Sequence, residues 1–489
     1  MRGTHLITVN YHGGLVSPGH LLKVLELVAR AQIKEVRFGL RQQLVIDANA
    51  SKSQPLAQLF KEHQIAFSEK ENESPNITTS YANSNIFSGD TWLTEGVFKD
   101  LLDELPERNS FKINILDRNQ GFCPWFTGHI NWIASNHTHY WHLALRYPGS
   151  NEVFHYPWLF YTNHVVSVTA TVEAYWNKVK SGAITETEKF DFSLAVPEAG
   201  RIAANALPAL NFQLPYYEGF NPYDSRLWLG IYRREETYPV DFLAEVCRLC
   251  LRTRIGMLYT TPWKSIIIKN IEPQHRDSWL YLLGNYRINV RHASNELNWQ
   301  VEDNSQEALL LKRFIIREFD REDVRTFGLC FGVQMSRQAA IFGSIRIQRD
   351  YTLLKGTWRP LPTYSIYHTP QFDPNGQQLI PFRQGIKKEY LPSYLIGLCR
   401  KYYEELSAAS SVTEADPVLP KPGNAPTVKH VHQCPSCLTV YDPDMGDPDA
   451  GIEPHVIWEN VPECYSCFIC GSPKSAFRPF KMGAALMEG

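Results

Sequence analysis

Residues 434–471 read CPSCLTVYDPDMGDPDAGIEPHVIWENVPECYSCFICG and contain two Cys-x2-Cys pairs, Cys434 with Cys437 and Cys467 with Cys470. Two such pairs can place four thiolates around one ion in a tetrahedron, an arrangement that suits zinc or iron. Two residues between the ligands let both sulfurs reach the ion while backbone N–H groups turn toward them and tune its reduction potential. Because 29 residues separate the pairs, whereas zinc ribbons usually have about 15–20, the spacing favours iron.

The segment between the pairs, Tyr441-Asp-Pro-Asp-Met-Gly-Asp-Pro-Asp-Ala-Gly-Ile452-Glu-Pro, resembles the signature of the rubredoxin family. Four further residues stand where that family has them: Pro462, Gly471, Lys474 and Phe477. The resemblance implies one iron atom that cycles between the ferric and ferrous states and carries single electrons. It also implies the ligands, which are Cys434, Cys437, Cys467 and Cys470. A zinc ion that only stabilises the fold is the alternative.

Several positions of this segment depart from the rubredoxin pattern. Leu438 replaces the usual glycine, so a left-handed turn there would be strained. Tyr465 and Phe468 replace a tryptophan and a proline, and because both are bulky and apolar we expect the sulfurs to stay dry. Cys464 forms a competing Cys-x2-Cys pair with Cys467. We favour Cys467 with Cys470, since both the spacing and the glycine that follows match the family.

The part of the chain before residue 406, which we call the body, contains a weak internal repeat. A helical pattern begins at Pro18 and again at Pro239, and each is followed by a strand-like run, EVRFGLRQQLVID and TTPWKSIIIKNI. An offset of 221 pairs Leu21 with Phe242, Leu25 with Val246 and Ile46 with Ile267. The repeat predicts a tandem α+β duplication.

The first copy, GGLVSPGHLLKVLELVARAQIKEVRFGLRQQLVI, resembles the ferredoxin-like half-domain of sirohaem nitrite and sulfite reductases, with Arg41-Gln42 matching that family's Arg-Gln. The stretch around Phe111-Lys112-Ile-Asn-Ile115 is similar to the haem-and-cluster domain of the same family. The resemblance implies that sirohaem could be bound. It also implies that Arg41 and Lys112 contribute to a pocket for an anion or for the sirohaem carboxylates. A solvated or salt-bridged surface arginine is the alternative.

The cysteines of the body argue against the iron–sulfur cluster of those reductases. The Cys-x5-Cys and Cys-x3-Cys motifs that the resemblance implies are missing, and the body has only Cys123, Cys247, Cys250, Cys330 and Cys399. We therefore do not expect a [4Fe–4S] cluster. Cys247 and Cys250 fall on one face of a predicted helix, and we interpret them, like Cys123, as packed thiols.

Composition and charge complete the sequence-based predictions. Hydrophobic residues make up 44% of the 489 residues, which predicts globular domains. The apolar runs are too short for a signal peptide or a membrane span, so we expect a cytoplasmic protein. Residues 433–477 carry seven acidic residues and one basic residue, whereas residues 1–432 are mildly basic. Either this charge asymmetry orients the acidic C-terminal segment on a partner, or the charges only keep its surface solvated.

The predicted fold class is α+β, with duplicated ferredoxin-like half-domains and nitrite/sulfite-reductase-like domains and a small C-terminal rubredoxin fold. The expected half-domains are residues 1–75 and 206–300, the reductase-like domains 76–205 and 301–405, the linker 406–430 and the rubredoxin domain 431–482. The leading hypothesis is an iron-binding electron carrier serving nitrite or sulfite reduction, with redox proteins and no nucleic acid as partners. The alternative is an active sirohaem reductase fed by its own rubredoxin domain.

Overall fold

The computed structural model describes residues 4–69, 73–87, 92–106, 109–150, 152–190, 202–203, 207, 212–292, 294–336, 341–350, 362–413, 429–435, 439–443, 446–447, 450–453, 455–467 and 471–482. The chain forms two compact units, residues 1–407 and residues 408–489. The first unit contains the body, and the second contains the cysteine pairs. The bounds predicted for the individual domains stay predictions.

The first half-domain begins with a helix whose start the sequence specifies. It contains β1 (Thr4–Val9), β2 (Leu15–Val16), α1 (Pro18–Arg30), β3 (Glu35–Phe38), β4 (Leu44–Asn49) and α2 (Ala50–Glu62). The Ser17 side chain accepts a hydrogen bond from the His20 backbone N–H at 3.2 Å and so caps α1. Leu21, Leu25 and Val28 are buried at helical spacing, which packs α1 on the core.

The first reductase-like domain is built on a sheet in the order β11-β10-β8-β7-β6-β5, with β9 paired to β8. Its elements are β5 (Thr78–Thr79), α3 (Glu95–Glu104), β6 (Ile113–Leu116), β7 (Ile130–Ala134), β8 (Tyr140–Leu145), β9 (Phe154–His155), β10 (Trp158–Tyr161), α4 (Val165–Lys180) and β11 (Ile202–Ala203). Strands β5, β6 and β7 are parallel. Every residue of β6 and β7 is buried, as expected for central parallel strands.

The second half-domain repeats the first and exchanges one strand with it. It contains β12 (Gly219–Tyr223), β13 (Arg226–Ile231), β14 (Tyr238–Pro239), α5 (Val240–Arg252), β15 (Leu258–Thr260), β16 (Ile266–Ile271) and α6 (Arg276–Asn285). The two sheets run β1-β4-β3-β14 and β12-β13-β16-β15-β2. The short strand before each long helix thus joins the sheet of the other half-domain, which ties the copies together.

The second reductase-like domain has the same strand order as the first. Its elements are α7 (Ser294–Leu297), β17 (Trp299–Val301), α8 (Gln306–Arg321), β18 (Phe331–Gln334), β19 (Ile345–Arg349), β20 (Thr363–His368), β21 (Ile380–Lys387) and α9 (Leu391–Thr413). Strands β17, β18 and β19 are parallel, and β20 and β21 continue the sheet antiparallel. This matches β5-β6-β7-β8-β10 of the first domain, so the predicted duplication is confirmed.

The predicted offset of the repeat is wrong by one residue. Helix α1 begins at Pro18 and α5 at Val240, an offset of 222. The turns before β4 and β16 show the same offset, because Gln42 and Lys264 both have positive φ, 62° and 56°. Arg41 therefore corresponds to Trp263, and Gln42 corresponds to Lys264.

The physical reason for the error lies in the apolar pattern of the second copy. Phe242, Leu243, Val246 and Cys247 are all fully buried in α5, so the helical pattern fits the first copy in two registers. The structure pairs Leu21 with Leu243 and Leu25 with Cys247. In the strands it pairs Ile46 with Ile268.

The C-terminal unit is a small antiparallel sheet in the order β23-β22-β24, formed by β22 (Lys429–Gln433), β23 (Val440–Tyr441) and β24 (Arg478–Met482). The predicted linker from Leu406 starts inside α9, which runs to Thr413. Alanines in this stretch favour helix, and residues 414–428 lie outside the described ranges. None of the helices in the described ranges combines the length and apolar character that a membrane span requires.

Candidate functional site

Two turns of the C-terminal unit begin with a buried cysteine and have the same backbone hydrogen bond. The Cys434 N–H donates to the carbonyl of Thr439, five residues later, at 2.8 Å, and the Cys467 N–H donates to that of Ser472 at 2.8 Å. Cys434 is 0% exposed and Cys467 is 2% exposed, and both belong to the hydrophobic core. Equivalent turns around two buried thiols are what two metal-binding Cys-x2-Cys pairs require. Cys437 and Cys470, the second member of each predicted pair, lie outside the described residues.

Cys464, the competing thiol, is exposed on the surface of the unit. It precedes the turn that Cys467 starts, and that turn closes with a hydrogen bond from the Gly471 N–H to the Cys467 carbonyl at 2.7 Å. Cys467 is thus buried and Cys464 is exposed, and the choice of Cys467 with Cys470 as the second pair stays a prediction.

An aromatic cluster surrounds the two buried cysteines. Tyr441, Tyr465 and Phe477 are buried, and Trp458 packs against all three. The Tyr465 hydroxyl donates to Asp447 at 2.8 Å, and burial followed by this carboxylate raises the pKa of Tyr465. The tyrosine that replaces the usual tryptophan is therefore packed in this cluster, and the exclusion of water from the sulfurs stays a prediction. Leu438 and Phe468 lie outside the described residues.

The body contains a cavity of about 570 Å³ between the two reductase-like domains. Its walls come from the first domain around β7 and β8 and from the second domain around β19 and β20. The side chains that matter most for its charge are Lys112, Arg146, Arg346, Arg349 and Asp350. A volume of this size is typical of pockets for small molecules and cofactors.

Two arginines in this cavity, the buried Arg146 and the half-buried Arg346, are held by backbone carbonyls. Arg146 donates to the carbonyls of Thr127 and Gly128 at 3.0 and 3.3 Å. Arg346 donates to those of Gly343 and Gly376, both at 3.3 Å. Neither forms an ion pair with a carboxylate among the described residues.

Burial lowers the pKa of Arg346 to about 10. Burial, and then the charge of Arg346, lower the pKa of Arg146 to about 10. Arg349, in contrast, pairs with Glu307 at 2.6 Å. Within the described part of the chain, each of these two guanidinium groups lacks a carboxylate partner and uses only part of its five N–H groups, so the cavity wall suits an anion.

Arg41, predicted to line an anion pocket, lies beside a second cavity of about 280 Å³ that shares Lys112 and Thr127 with the first. Its guanidinium donates to the Asn76 carbonyl at 2.7 and 2.9 Å, to the Ile113 carbonyl at 2.7 Å and to the Asn114 side chain at 3.0 Å. Burial, and then the charge of Arg146, lower its pKa to about 9. Most of its N–H groups thus hold the protein together, and its anion-binding role stays a prediction.

Gln42, the second residue of the matched Arg-Gln pair, joins three parts of the body. Its amide donates to the carbonyls of Thr79 and Thr260 at 3.2 and 2.9 Å and accepts from the Thr79 N–H at 2.9 Å. The amide packs against Gly14, which has a φ of +80°, and a Cβ there would lie 2.6 Å from the Gln42 nitrogen. This motif therefore has a structural role that the sequence did not reveal.

Lys112, the other predicted residue, lines both cavities. Its backbone N–H donates to Nδ1 of His129 at 3.0 Å, and His129 also lines the larger cavity. Lys112 thus lies on the wall that the two cavities share. The contact of Lys112 with an anion stays a prediction.

The cysteines of the body are divided among three separate cores. Cys123 and Cys330 belong to the first, Cys247 and Cys250 to the second, and Cys399 to the third. All five are buried, and burial raises the pKa of each thiol, to about 12 for Cys247 and Cys399. They are packed thiols, as predicted for Cys123, Cys247 and Cys250, and they do not fit a cluster that needs four neighbouring thiolates.

The residues in the second half-domain that correspond to Arg41 and Gln42 form no anion site. The Trp263 indole is buried and donates to the Phe122 carbonyl at 3.0 Å. The Lys264 ammonium lies 2.8 Å from Glu236 and 3.2 Å from Asp303, so its charge is neutralised within the protein.

The sequence-based reasoning missed Arg146, Arg346 and His129. Arg146 directly follows β8 and Arg346 lies within β19, in the strand-like segments HYWHLALRYP and IFGSIRIQRD. An arginine directly after the apolar strand β8, and two arginines alternating with other residues in β19, were the available signal. It indicates a buried cation, but it cannot show that strands of two domains converge on one cavity.

Comparison with known proteins identifies the C-terminal unit. The family model described as rubredoxin matches residues 431–477. Rubredoxin 4 of Rhodococcus sp. (strain Q15) is 45% identical over 47 residues, which are 10% of this chain and 78% of that protein. The high molecular weight rubredoxin of Moorella thermoacetica is 48% identical over 46 residues, 9% of this chain and 20% of that protein.

A third relative is the anaerobic nitric oxide reductase flavorubredoxin of Pectobacterium atrosepticum, 32% identical over 78 residues, which are 15% of each chain. The match with these two larger relatives therefore spans a fifth of their length or less. The similarity concerns that part of each relative alone.

The fold of the body is also found in a solved structure, that of the Mycobacterium tuberculosis NirA protein. The two superpose with a TM-score of 0.59 over 81% of this chain and 80% of that one, at 13% sequence identity. The expected nitrite/sulfite-reductase-like fold of the body is thereby confirmed. At this identity the likeness concerns the fold alone.

Proposed function

The chain belongs to the rubredoxin family through its C-terminal domain, and we propose that it is an iron-dependent electron-transfer protein serving nitrite or sulfite reduction. The observation that carries the proposal is the pair of equivalent turns in which Cys434 and Cys467 are buried. A rubredoxin domain implies a single iron in a cysteine site. Such a centre exchanges one electron at a time, so the partners of the protein are a reductant and an acceptor.

The proposed ligands are Cys434, Cys437, Cys467 and Cys470. The buried members of both pairs lie in the dry aromatic cluster, which favours a thiolate-bound metal over exposed thiols. Backbone N–H groups that turn toward the sulfurs, together with exclusion of water, are the means by which the protein sets the reduction potential. Cys464 is not a ligand in this proposal, because its side chain faces solvent.

The body is proposed to bind an anionic ligand in the larger cavity. Arg146 and Arg346 would hold it, and Lys112 would assist them. Arg41, which lines the adjoining smaller cavity, would add positive charge nearby. Partly desolvated cations without a carboxylate partner among the described residues are costly for the free protein, and an anion bound between them offsets that cost. The residues present therefore fit sirohaem carboxylates or a free oxyanion. Sirohaem, when bound, supplies an iron that binds the oxyanion and accepts electrons for its reduction.

A second candidate function is favoured by this same cavity. In it the protein is itself a sirohaem nitrite or sulfite reductase, and its rubredoxin domain supplies electrons in place of a cluster. The support is the combination of a cation-lined cavity with body cysteines that belong to three different cores.

Cofactor analysis of the purified full-length protein separates these functions. Iron at about one atom per chain with ferric-thiolate absorption and no haem bands supports the carrier. Additional haem bands with nitrite- or sulfite-dependent oxidation of an artificial donor support the reductase. Zinc alone, after expression in iron-replete medium, contradicts both and leaves a structural metal.

The anion site is tested by ligand-dependent thermal stability. Sulfite, nitrite and the polycarboxylate porphyrin uroporphyrin serve as probes, and a ligand at 100 times its dissociation constant stabilises a protein by about 2.7 kcal/mol. We expect Arg146→Gln to abolish the shift caused by the bound probe. Arg248→Gln, which removes an exposed arginine of α5, is the matched control and should leave the shift unchanged. An unchanged shift in Arg146→Gln would contradict the proposal.

A further inference from the structure

The imidazole of His129 has a fixed tautomer. Its Nδ1 accepts the hydrogen bond from the Lys112 backbone N–H at 3.0 Å. A nitrogen that accepts a hydrogen bond carries no proton, so the proton of the neutral ring is on Nε2. His129 is therefore a hydrogen-bond donor through Nε2.

The surroundings of His129 keep the ring neutral. Burial lowers its pKa most, and the charges of Arg146, Lys112, Arg41 and Lys180 lower it further, to about 2. On one side the ring packs edge-on against Phe111, with centroids 6.0 Å apart. The donor is thus neutral throughout the physiological pH range and held in one orientation.

The Nε2–H of His129 is available to a ligand. The ring lines the larger cavity, and among the described residues Nε2 has no hydrogen-bond partner. Arg146 lies close to it, since its backbone N–H donates to the His129 carbonyl at 2.8 Å and its charge acts on the ring. A neutral donor therefore stands beside a cation on the same cavity wall.

We infer that His129 donates its Nε2–H to an oxygen of the anionic ligand that Arg146 and Arg346 hold. This inference rests on the anion site of the proposed function, and it adds the group that orients the ligand there. Arginines attract any anion of suitable size, whereas a fixed neutral donor favours one that presents an oxygen acceptor at the right place. The acceptor belongs to a carboxylate of a tetrapyrrole or to a free oxyanion.

Two substitutions separate the two nitrogens of the ring. In His129→Asn the side-chain oxygen can still accept from the Lys112 N–H, but no donor reaches the position of Nε2. In His129→Gln the amide nitrogen reaches the position of Nε2 and can donate there. A hydrogen bond to a charged group contributes enough for a change of about tenfold or more in affinity. We therefore expect His129→Asn to bind the anion at least about tenfold more weakly and His129→Gln to recover most of the loss.

The measurements use the full-length protein, with uroporphyrin binding followed by fluorescence and sulfite and nitrite binding followed by calorimetry. Loss of affinity for uroporphyrin alone assigns the acceptor to a cofactor carboxylate, and loss for sulfite or nitrite assigns it to the substrate oxyanion. His20→Asn, on the exposed side of α1, controls for the loss of a histidine elsewhere. The ¹⁵N resonances of labelled histidine report the Nε2–H tautomer directly, and the Nε2 signal should shift when the probe binds.

The possible results distinguish this inference from the proposed function. If wild type binds none of the probes, the anion site itself is refuted and the role of His129 with it. If wild type binds a probe and His129→Asn binds it equally well, or if the Nε2 resonance does not respond, the anion site stands and the role of His129 is wrong.

Discussion

Lys269 gives the most quantitative test of the structure. This residue of β16 is 1% exposed, and its ammonium group donates to the Ser84 carbonyl at 2.8 Å and lies 4.6 Å from the ring centroid of Tyr259. It forms no ion pair with a carboxylate among the described residues. The charge of Glu95 raises its pKa, which partly opposes the effect of burial. Burial dominates and lowers the pKa of Lys269 from 10.5 to about 8.

The lowered pKa makes the stability of the body depend on pH. Between about pH 8 and 10.5 the unfolded chain keeps a proton that the folded protein has lost, so stability rises with pH in this range. A pKa difference of about 2.5 corresponds to about 3 kcal/mol, of which about 2 kcal/mol is gained between pH 7 and pH 9.5. Lys269→Met keeps the length and apolar stem of the side chain and removes the titration.

The assay is urea unfolding of wild type and Lys269→Met at pH 7 and pH 9.5, followed by tryptophan fluorescence. Relative to the variant, wild type should gain about 2 kcal/mol of unfolding free energy on going to the higher pH. Lys99→Met, on the exposed side of α3, controls for the loss of a surface lysine. If the difference between wild type and Lys269→Met is the same at both pH values, the ammonium is not desolvated and the packing argument fails.

Three further changes test other parts of the molecule. Cys467→Ser should bleach the ferric-thiolate absorption and Cys464→Ser should leave it intact, and the opposite result would reverse the assignment of the second cysteine pair. Glu236→Gln should destabilise the body by about 3–5 kcal/mol, because it leaves the buried Lys312 without its carboxylate and Lys264 with Asp303 alone. Glu245→Gln on the surface should cost less than about 1 kcal/mol, and equal midpoints of urea unfolding would contradict this. Burial would raise the pKa of Glu236, but Lys264 and Lys312 outweigh it and lower the pKa from 4.5 to about 2. Its contribution to stability should therefore be complete above pH 4.5 and should be lost progressively as the pH falls from 4.5 to about 2, which acid titration of wild type against Glu236→Gln measures.

The sequence predicted those features that depend on local chemistry. The two Cys-x2-Cys pairs and the intervening signature identified the rubredoxin domain, because ligand spacing is set by the geometry of one ion. The duplication followed from helical and strand periodicity. Its register did not, because α5 is apolar over more than one helical face, and Phe242 and Leu243 are equally buried.

The cavity could not be predicted from the sequence, because its wall joins residues far apart in the chain. Arg146 and Arg346 come from different domains, and only the folded chain shows that both guanidinium groups bind backbone carbonyls instead of carboxylates. Arg41 was found through the resemblance. The resemblance could not indicate that Asn76 and Ile113 occupy most of its N–H groups.

The corrected register of the repeat explains why the two half-domains contribute differently to anion binding. A cation attracts an external anion only to the extent that the protein has not already neutralised it. Arg41 in the first copy has carbonyl and amide partners, which leave its charge intact. At the corresponding turn of the second copy, Trp263 is uncharged and the charge of Lys264 is neutralised by Glu236 and Asp303. Of these two related turns, only the first can therefore add positive charge near an anion, so the duplicated fold should bind one such ligand rather than two.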